Sequence, residues 1–176
     1  MEIIKYTKEH RDIWNNFVKN AKNSHFFFLR NYMEYHNDRF KDYSLLIYDN
    51  DKLISILPAN IEGAILYSHQ GLTFGSFLVD DKMKTETILE IFEVLKKFLK
   101  KVKIQTMVYK CIPYIYHINP SEEDRYALFR NDAKLIRRDV SSTICLTEKI
   151  AYQERRRRAI KKAIKNELTF EKSKDF

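Results

Sequence analysis

The sequence predicts an α+β (mixed α/β) domain, in which helices flank a sheet. Three observations predict this class: one long amphipathic helical pattern in the middle of the chain, a hairpin signature before it, and short extended segments after it. With 176 residues, 44% of them apolar and 14% aromatic, the chain is long enough to bury a substantial core. Three Gly and three Pro exclude collagen-like and linker-rich chains.

The first third of the chain predicts two helices and a hairpin. Apolar residues at i, i+4 and i+8 favour a helix over 8–21, for which Thr7 supplies the cap. A second, short helix is expected around 32–36. The apolar runs 44–48 and 52–57 flank an Asp-Asn-Asp turn, and this arrangement indicates a hairpin.

The clearest predicted element is a helix in the middle of the chain. Seven apolar residues between 88 and 102 recur at helical spacing, and Thr87 with Glu90 fits a capping box at its start. Ser121 is placed to cap a later helix. The remaining extended segments are expected over 61–69, 103–110, 114–117, 133–138 and 141–146.

The net charge of +8 is unevenly distributed along the sequence. Residues 151–176 contain nine Lys and Arg but four Asp and Glu, so most of the excess lies there. A helix is expected over 152–166, and its stretch 155–165 has seven basic residues. Four readings stay open for this run: a solvated helix face, an anionic small ligand, RNA, or an anionic membrane surface.

The sequence lacks the motifs of several common nucleotide-binding and metal-binding sites. No P-loop or dinucleotide-binding glycine motif is present, and the five histidines form no HExxH metal motif. The two cysteines, Cys111 and Cys145, form no CxxC and are expected to be buried, reduced thiols, although sequence alone leaves a disulfide open. The N-terminus lacks the apolar stretch of a signal peptide, and no run is long enough to span a bilayer, so a cytoplasmic protein is expected.

Polar residues gather at the ends of predicted strands, where sheet proteins often bind ligands. Ser68 and His69 precede a loop with two glycines four residues apart, which suits either a backbone bend or close approach to a ligand. Lys110 and Tyr116 flank Pro113 in the same way. Arg137 and Arg138 suit either an anionic ligand or the protection of an edge strand.

Seven stretches of the chain, in order, resemble one family. They are 27–40, 58–60, 68–75, 110–117, 120–124, 137–142 and the Arg/Lys run into Ala163. They are similar to the Fem-type branch of the GNAT acyltransferase superfamily, which comprises peptidoglycan-bridge aminoacyltransferases and bacterial relatives.

The resemblance implies a GNAT-like, largely antiparallel mixed sheet flanked by helices over 1–150. It further implies that 151–176 forms a basic connecting helix and the start of a second lobe. Relatives transfer an acyl or aminoacyl group to an amine, often on a cell-wall or glycan precursor bound between two lobes. The implied donor is acetyl-CoA or an aminoacyl-tRNA, the latter making tRNA a partner, with no tightly bound cofactor and no metal.

The resemblance also assigns roles to candidate residues. His69 and Tyr116 are the candidates for catalysis, and six residues are expected to bind substrate: Ser68, Gly71, Thr73, Lys110, Arg137 and Arg138. The chain departs from ordinary GNAT enzymes in lacking their R/Q-x-x-G-x-G/A pyrophosphate loop. The alternatives are a nucleic-acid-binding module using the C-terminal basic helix, and a non-catalytic remnant lobe that pairs with a second lobe or forms a homodimer.

Overall fold

The computed structural model describes residues 1–35, 37–140, 142, 144–148 and 150–172. These residues form two compact units, Met1–Lys134 and Leu135–Phe176. The first unit contains two four-stranded sheets and four α-helices, so the α+β prediction is confirmed. The domain boundary expected after residue 150 stays a prediction.

The helices and strands have the following bounds. Helices α1 to α5 are Arg11–Asn20, Arg30–Glu34, Thr85–Lys101, Glu123–Arg130 and Glu154–Lys165. Strands β1 to β8 are Glu2–Lys5, Lys41–Asp42, Leu45–Asp49, Lys52–Leu57, Asn60–Glu62, Ile65–Tyr67, Leu78–Val79 and Thr106–Val108. Short 3-10 helices cover Lys8–His10, Phe26–Phe28 and Tyr114–Tyr116.

The first sheet is antiparallel and has the strand order β1-β3-β4-β7. The predicted hairpin forms its centre, where Asn50 and Asp51 turn the chain with φ angles of 45° and 63°. Asn and Asp tolerate this left-handed conformation better than most residues, so the Asp-Asn-Asp sequence suits the turn.

The second sheet has the order β2-β5-β6-β8 and combines two pairing directions. Its first three strands are antiparallel, whereas β6 and β8 run parallel, with Ile65 opposite Thr106 and Tyr67 opposite Val108. Parallel strands need a long crossover, and α3 lies within the connection. The carboxyl ends of β6 and β8 therefore lie side by side.

Both faces of the first sheet are covered by apolar side chains. Leu45 and Ile47 join a cluster with the buried face of α3, while Leu46 joins a second cluster around Trp14 of α1. Successive strand residues point to opposite faces, which explains why neighbours belong to different clusters. The Trp14 indole donates a hydrogen bond to the Phe28 carbonyl at 2.8 Å and so ties α1 to the segment after it.

A buried cation lies in the second cluster. Arg30 is 1% exposed, and its guanidinium lies 3.5 Å from the centre of the Tyr6 ring. It forms an ion pair with Asp42 and donates a hydrogen bond to the Ser44 hydroxyl at 3.3 Å. These partners offset the cost of removing the charge from water.

The helix predicted to start after Thr7 begins as the 3-10 helix Lys8–His10 and continues as α1 from Arg11. Two further predicted helix caps are wrong. Helix α3 begins at Thr85 after Lys84, so Thr87 and Glu90 lie inside the helix and the capping-box prediction is wrong. Helix α4 begins at Glu123, and the Ser121 hydroxyl bonds the Glu123 carboxylate at 2.9 Å instead of capping the backbone.

Three further local predictions are wrong. Residues 114–116 form a 3-10 helix instead of an extended segment, because the chain turns directly after Pro113. The segment 133–138 forms no strand, since it has no strand partner in the part of the chain that the structure describes. Cys145 is exposed rather than buried, and Cys111 is partly buried. For the strand expected over 141–146, residues 141 and 143 lie outside the described residues.

Candidate functional site

The carboxyl ends of β6 and β8 are joined through the loop of residues 68–75, here called the 68–75 loop. The buried Ser68 hydroxyl accepts a hydrogen bond from the Lys110 amide at 2.7 Å and donates one to the Gly75 carbonyl at 3.0 Å. The Gly75 amide donates to the Lys110 carbonyl at 2.9 Å. The Lys110 ammonium bonds the Leu72 carbonyl, so Lys110 contacts the loop from its first residue to its last.

Gly75 permits this close approach between the two ends of the loop. A β-carbon at position 75 would lie 2.2 Å from the Ser68 carbonyl oxygen, a distance that no side chain tolerates. Gly75 is therefore needed so that the two ends of the 68–75 loop can contact each other.

A second set of hydrogen bonds fixes the loop near its start. The Gln70 amide donates to the Asn60 side-chain oxygen at 2.7 Å, and the Asn60 side-chain nitrogen donates to the Gln70 side-chain oxygen at 2.5 Å. The Gln70 side-chain nitrogen also bonds the Glu62 carboxylate at 2.9 Å. Gly71 and the exposed Thr73 are thereby carried on a loop that is held in place on both sides.

The two catalytic candidates differ in accessibility. His69 is 3% exposed, has a φ of 80°, and contacts the Phe40 ring at a centroid distance of 5.8 Å. Tyr116 is 42% exposed. A general base must reach the proton that it removes, so a catalytic side chain needs to be accessible to the substrate. Of the two candidates, Tyr116 meets this requirement better, because it is the more exposed.

Six rings form one continuous surface beside the 68–75 loop, here called the aromatic surface. Its members are His25, Phe26, Phe27, Tyr32, Phe74 and Tyr116. Tyr116 stacks on Phe74 at a centroid distance of 5.0 Å, and Phe74 belongs to the loop. Tyr116 thus joins the loop residues through a ring contact.

The aromatic surface is uncharged near neutral pH. Partial burial lowers the pKa of His25 below its ordinary value of 6.5. The Nδ1 atom of His25 accepts a hydrogen bond from the Phe27 amide at 3.4 Å, which assigns the proton of the neutral ring to Nε2. The imidazole therefore adds a neutral donor to the phenol groups of Tyr32 and Tyr116.

A half-buried tyrosine, Tyr109, follows β8 directly and contacts a half-buried carboxylate of α4. The Tyr109 hydroxyl donates to Asp124 at 2.8 Å and accepts from the Phe77 amide at 2.8 Å. Burial raises the pKa of Asp124, and burial together with the nearby Asp124 raises the pKa of Cys111 to about 11. The Cys111 thiol thus stays protonated at neutral pH and is a poor nucleophile.

Arg137 and Arg138 belong to the second unit, in a segment without regular secondary structure. Both are exposed, and the Arg137 guanidinium pairs with Asp139 at 2.9 Å. The role expected for these two arginines stays a prediction.

The predicted C-terminal helix is confirmed as α5, and its basic side chains are exposed. Arg157 and Arg158 both pair with Glu154, at 3.6 and 3.3 Å. This acidic residue is the only one in the helix, so α5 keeps a strong positive charge.

The sequence predictions missed the aromatic surface. Its one local signal is the run His25-Phe26-Phe27-Phe28; Phe74 and Tyr116 are distant in sequence and reach the surface only through the fold. Within the described ranges, no group of three or more His, Cys, Asp or Glu is arranged to hold a metal ion. No helix formed by those residues has the length and apolar character needed to cross a membrane.

No protein-family model matches this chain, and neither does any curated protein.

Proposed function

We propose that the chain is a lobe of an N-acyltransferase similar to the Fem-type branch of the GNAT superfamily. It would transfer an acyl or aminoacyl group to an amine of a cell-wall or glycan precursor. One observation carries the proposal. Five of the eight predicted site residues meet at the carboxyl ends of the one parallel strand pair among the described strands; they are Ser68, His69, Gly71, Thr73 and Lys110. Such ends are preferred ligand sites in sheets.

The reaction requires a neutral amine that attacks the carbonyl carbon of a thioester or ester. The new C–N bond forms as the C–S or C–O bond breaks, and the proton lost by nitrogen balances the one gained by the leaving thiol or hydroxyl. Tyr116, directly or through a water molecule, is the accessible group for this proton transfer. The Lys110 ammonium would bind a phosphate or carboxylate of the precursor.

The donor in this proposal is acetyl-CoA or an aminoacyl-tRNA, both of which are available in the cytoplasm. The exposed cations of α5 favour a donor that is rich in phosphate. The second unit also exposes large apolar side chains, including Val140 and Phe170 at 97% each. We infer that a second lobe or a second copy of the chain covers them.

An acyl-transfer assay on the full chain tests the proposal. Acetyl-CoA and a set of aminoacyl-tRNAs are each offered with amine-bearing nucleotide-linked sugars and muramyl peptides, and products are detected by mass spectrometry. At least one pair should give an acceptor heavier by the acyl group. Lys110→Ala should raise the KM for that acceptor about tenfold, whereas Lys52→Ala, an exposed lysine in the hairpin, should not change it. A folded chain that acylates none of these acceptors would favour a remnant lobe without activity.

Nucleic-acid binding by α5 is a second candidate function. Seven basic side chains lie on one exposed helix with a single internal carboxylate. The affinity for RNA or DNA should fall steeply with salt, because each neutralised phosphate releases counterions. Deletion of 151–176 should abolish this binding. Affinity that is independent of salt, or unchanged by the deletion, would rule the candidate out.

A further inference from the structure

A groove with a volume of about 630 Å³ lies where the end of α3 meets the start of β8, and it is here called the α3–β8 groove. The 68–75 loop lies at the opposite, carboxyl end of β8. Two kinds of side chain line the groove. Its floor is apolar and buried or half-buried, and its rim carries exposed ammonium groups; the former are Leu99, Ile104 and Met107, the latter Lys96, Lys100 and Lys103.

The rim has an excess of positive charge. The Lys96 ammonium pairs with Glu93 at 2.6 Å. Neither Lys100 nor Lys103 forms an ion pair within the described residues. Lysines in the last turn of a helix interact favourably with its dipole, which accounts for Lys100. It does not account for Lys103, which lies beyond the end of α3.

Lys103 has a backbone conformation that favours glycine. Its φ is 61°, its amide donates to the Lys100 carbonyl at 3.2 Å, and the Ile104 amide donates to the Leu99 carbonyl at 2.9 Å. This is the pattern of a Schellman helix end, where glycine is the preferred residue at the left-handed position. A lysine here makes the backbone less stable than glycine would, and in return it places a cation at the rim of the groove.

The backbone of β8 is unpaired on one side. The Thr106 amide donates to the Ala64 carbonyl at 3.4 Å, and the Val108 carbonyl accepts from the Ser68 amide at 2.9 Å, so both residues face β6. Because backbone direction alternates along a strand, the amide and carbonyl of Met107 point away from β6. No strand among the described residues pairs with this outer edge. Such an edge is a template for another strand.

Three possible occupants differ in how well they match these features. A small anion lacks backbone donors here, because a helix presents carbonyl groups at its carboxyl end. A second copy of the α3–β8 groove would bring the same lysines, and like charges repel. The segment 133–138 of this chain is unsuitable for the same reason, since it has three basic residues and no acidic one. An extended segment with carboxylates matches both the rim and the free edge.

We propose that the α3–β8 groove docks an extended, acidic segment of a partner protein, which adds a strand to the outer edge of β8. The carboxylates of that segment contact Lys100 and Lys103, and its backbone pairs with Met107. Apolar side chains of the segment pack on Leu99. The proposal is independent of acyl transfer, because the groove lies at the other end of β8 from the proposed acceptor site.

Fluorescence anisotropy of a labelled peptide with the full chain tests this assignment. The probe is a peptide of about eight residues that alternates Glu and Val and has blocked ends. One matched peptide replaces Glu with Gln, and another carries methyl groups on alternate backbone nitrogens. Both should bind at least about tenfold more weakly, because the first loses its charge and the second cannot pair as a strand. Equal binding of either one and the probe would overturn the proposal.

A lysine variant separates binding from stability. Lys103→Gly should weaken binding of the probe about fivefold and should not lower the urea midpoint, because glycine suits the left-handed conformation. The control is Lys101→Ala, which removes an exposed lysine at the same helix end that does not line the groove. It should bind the probe like the unaltered chain. Equal affinity in the two variants would overturn the proposal.

Competition experiments test the other occupants. Inorganic phosphate and phosphatidylglycerol vesicles are added to the bound probe, with sodium chloride of equal ionic strength as the reference. Neither should displace more probe than the salt does. Displacement by phosphate would indicate a small-anion site, and displacement by the vesicles a membrane surface; either would overturn the proposal. Self-association that Lys103→Gly alters would place a second copy in the groove and would overturn it too.

Discussion

The two units of this chain use apolar residues in opposite ways. In the first, Leu45, Ile47 and Phe77 are fully buried between a sheet and α3. In the second, Val140 and Phe170 are almost fully exposed. The difference shows that an apolar, strand-like pattern does not itself form a sheet. A strand requires a partner with free backbone groups, which each strand of the 45–57 hairpin supplies to the other and which the described residues 135–140 lack.

The largest difference between the units should appear on removal of one phenylalanine from each. Phe77→Ala leaves a cavity beside Phe92 and should lower the free energy of unfolding by about 3–5 kcal/mol. Phe170→Ala removes an exposed ring and should change it by less than about 0.5 kcal/mol. Urea denaturation measures both values. Similar losses in the two variants would mean that Phe170 is covered in solution.

Two arginines give the next largest contrast. Arg30→Ala removes a buried cation and leaves Asp42 without its partner, at a cost of about 3 kcal/mol. Arg137→Ala breaks an exposed pair with Asp139 and should cost less than about 1 kcal/mol. Denaturation midpoints at two salt concentrations provide the measurement. If Arg30→Ala lowered the free energy of unfolding as little as Arg137→Ala, burial of the Arg30 ion pair would not increase its contribution to stability.

A smaller effect is expected from pH, and it should arise in the first unit. Burial lowers the pKa of His25 and of His117, whose surroundings also include Asp124, Arg125 and Glu122. Since the unfolded chain takes up these protons first, stability should be complete above pH 6.5 and decline as pH falls through the window below it. Urea titrations at pH 7.5, 6.5 and 5.5 measure the slope, and His117→Gln should reduce it.

The same pH series provides a control in the second unit. Residues 135–176 contain no histidine, so their deletion should leave the slope between pH 7.5 and 5.5 unchanged. A slope that disappears with the deletion would contradict the assignment to His25 and His117.

The smallest effect on the first unit should come from loss of the second. Trypsin should cleave first after Arg137 or within Arg155–Arg158, because these arginines are exposed and lie outside the β-sheets and the buried core. The remaining fragment, close to 1–134, should unfold within about 0.5 kcal/mol of the full chain. Early cleavage within 45–57 would instead show that the first unit depends on the second.

The parts of the fold that follow from local chemistry were predictable from the sequence. The apolar spacing of α3 and the Asp-Asn-Asp hairpin turn depend on residues that are neighbours in the chain. The failed predictions have both local and non-local causes. Ser121 bonds the side chain of Glu123, two residues further on, instead of capping the backbone, whereas 133–138 lacks a strand partner within the described residues.

The contacts that bring the predicted site residues together were not predictable from the sequence. The pairing of Ser68 with Lys110 follows from the parallel register of β6 and β8, which a crossover of nearly forty residues determines. The aromatic surface joins positions 25 and 116, and no periodicity relates them. The reciprocal Asn60–Gln70 contact likewise has no sequence signal.

The position of the only tryptophan makes the first unit optically distinct. Trp14 is fully buried, its ring lies 5.4 Å from the Tyr6 ring, and its indole donates a hydrogen bond to the carbonyl of Phe28, the residue after Phe27 of the aromatic surface. Its emission should therefore shift to the red when the first unit unfolds and stay constant when α5 alone loses its helix. A single intrinsic fluorophore thus reports on the first unit without any label.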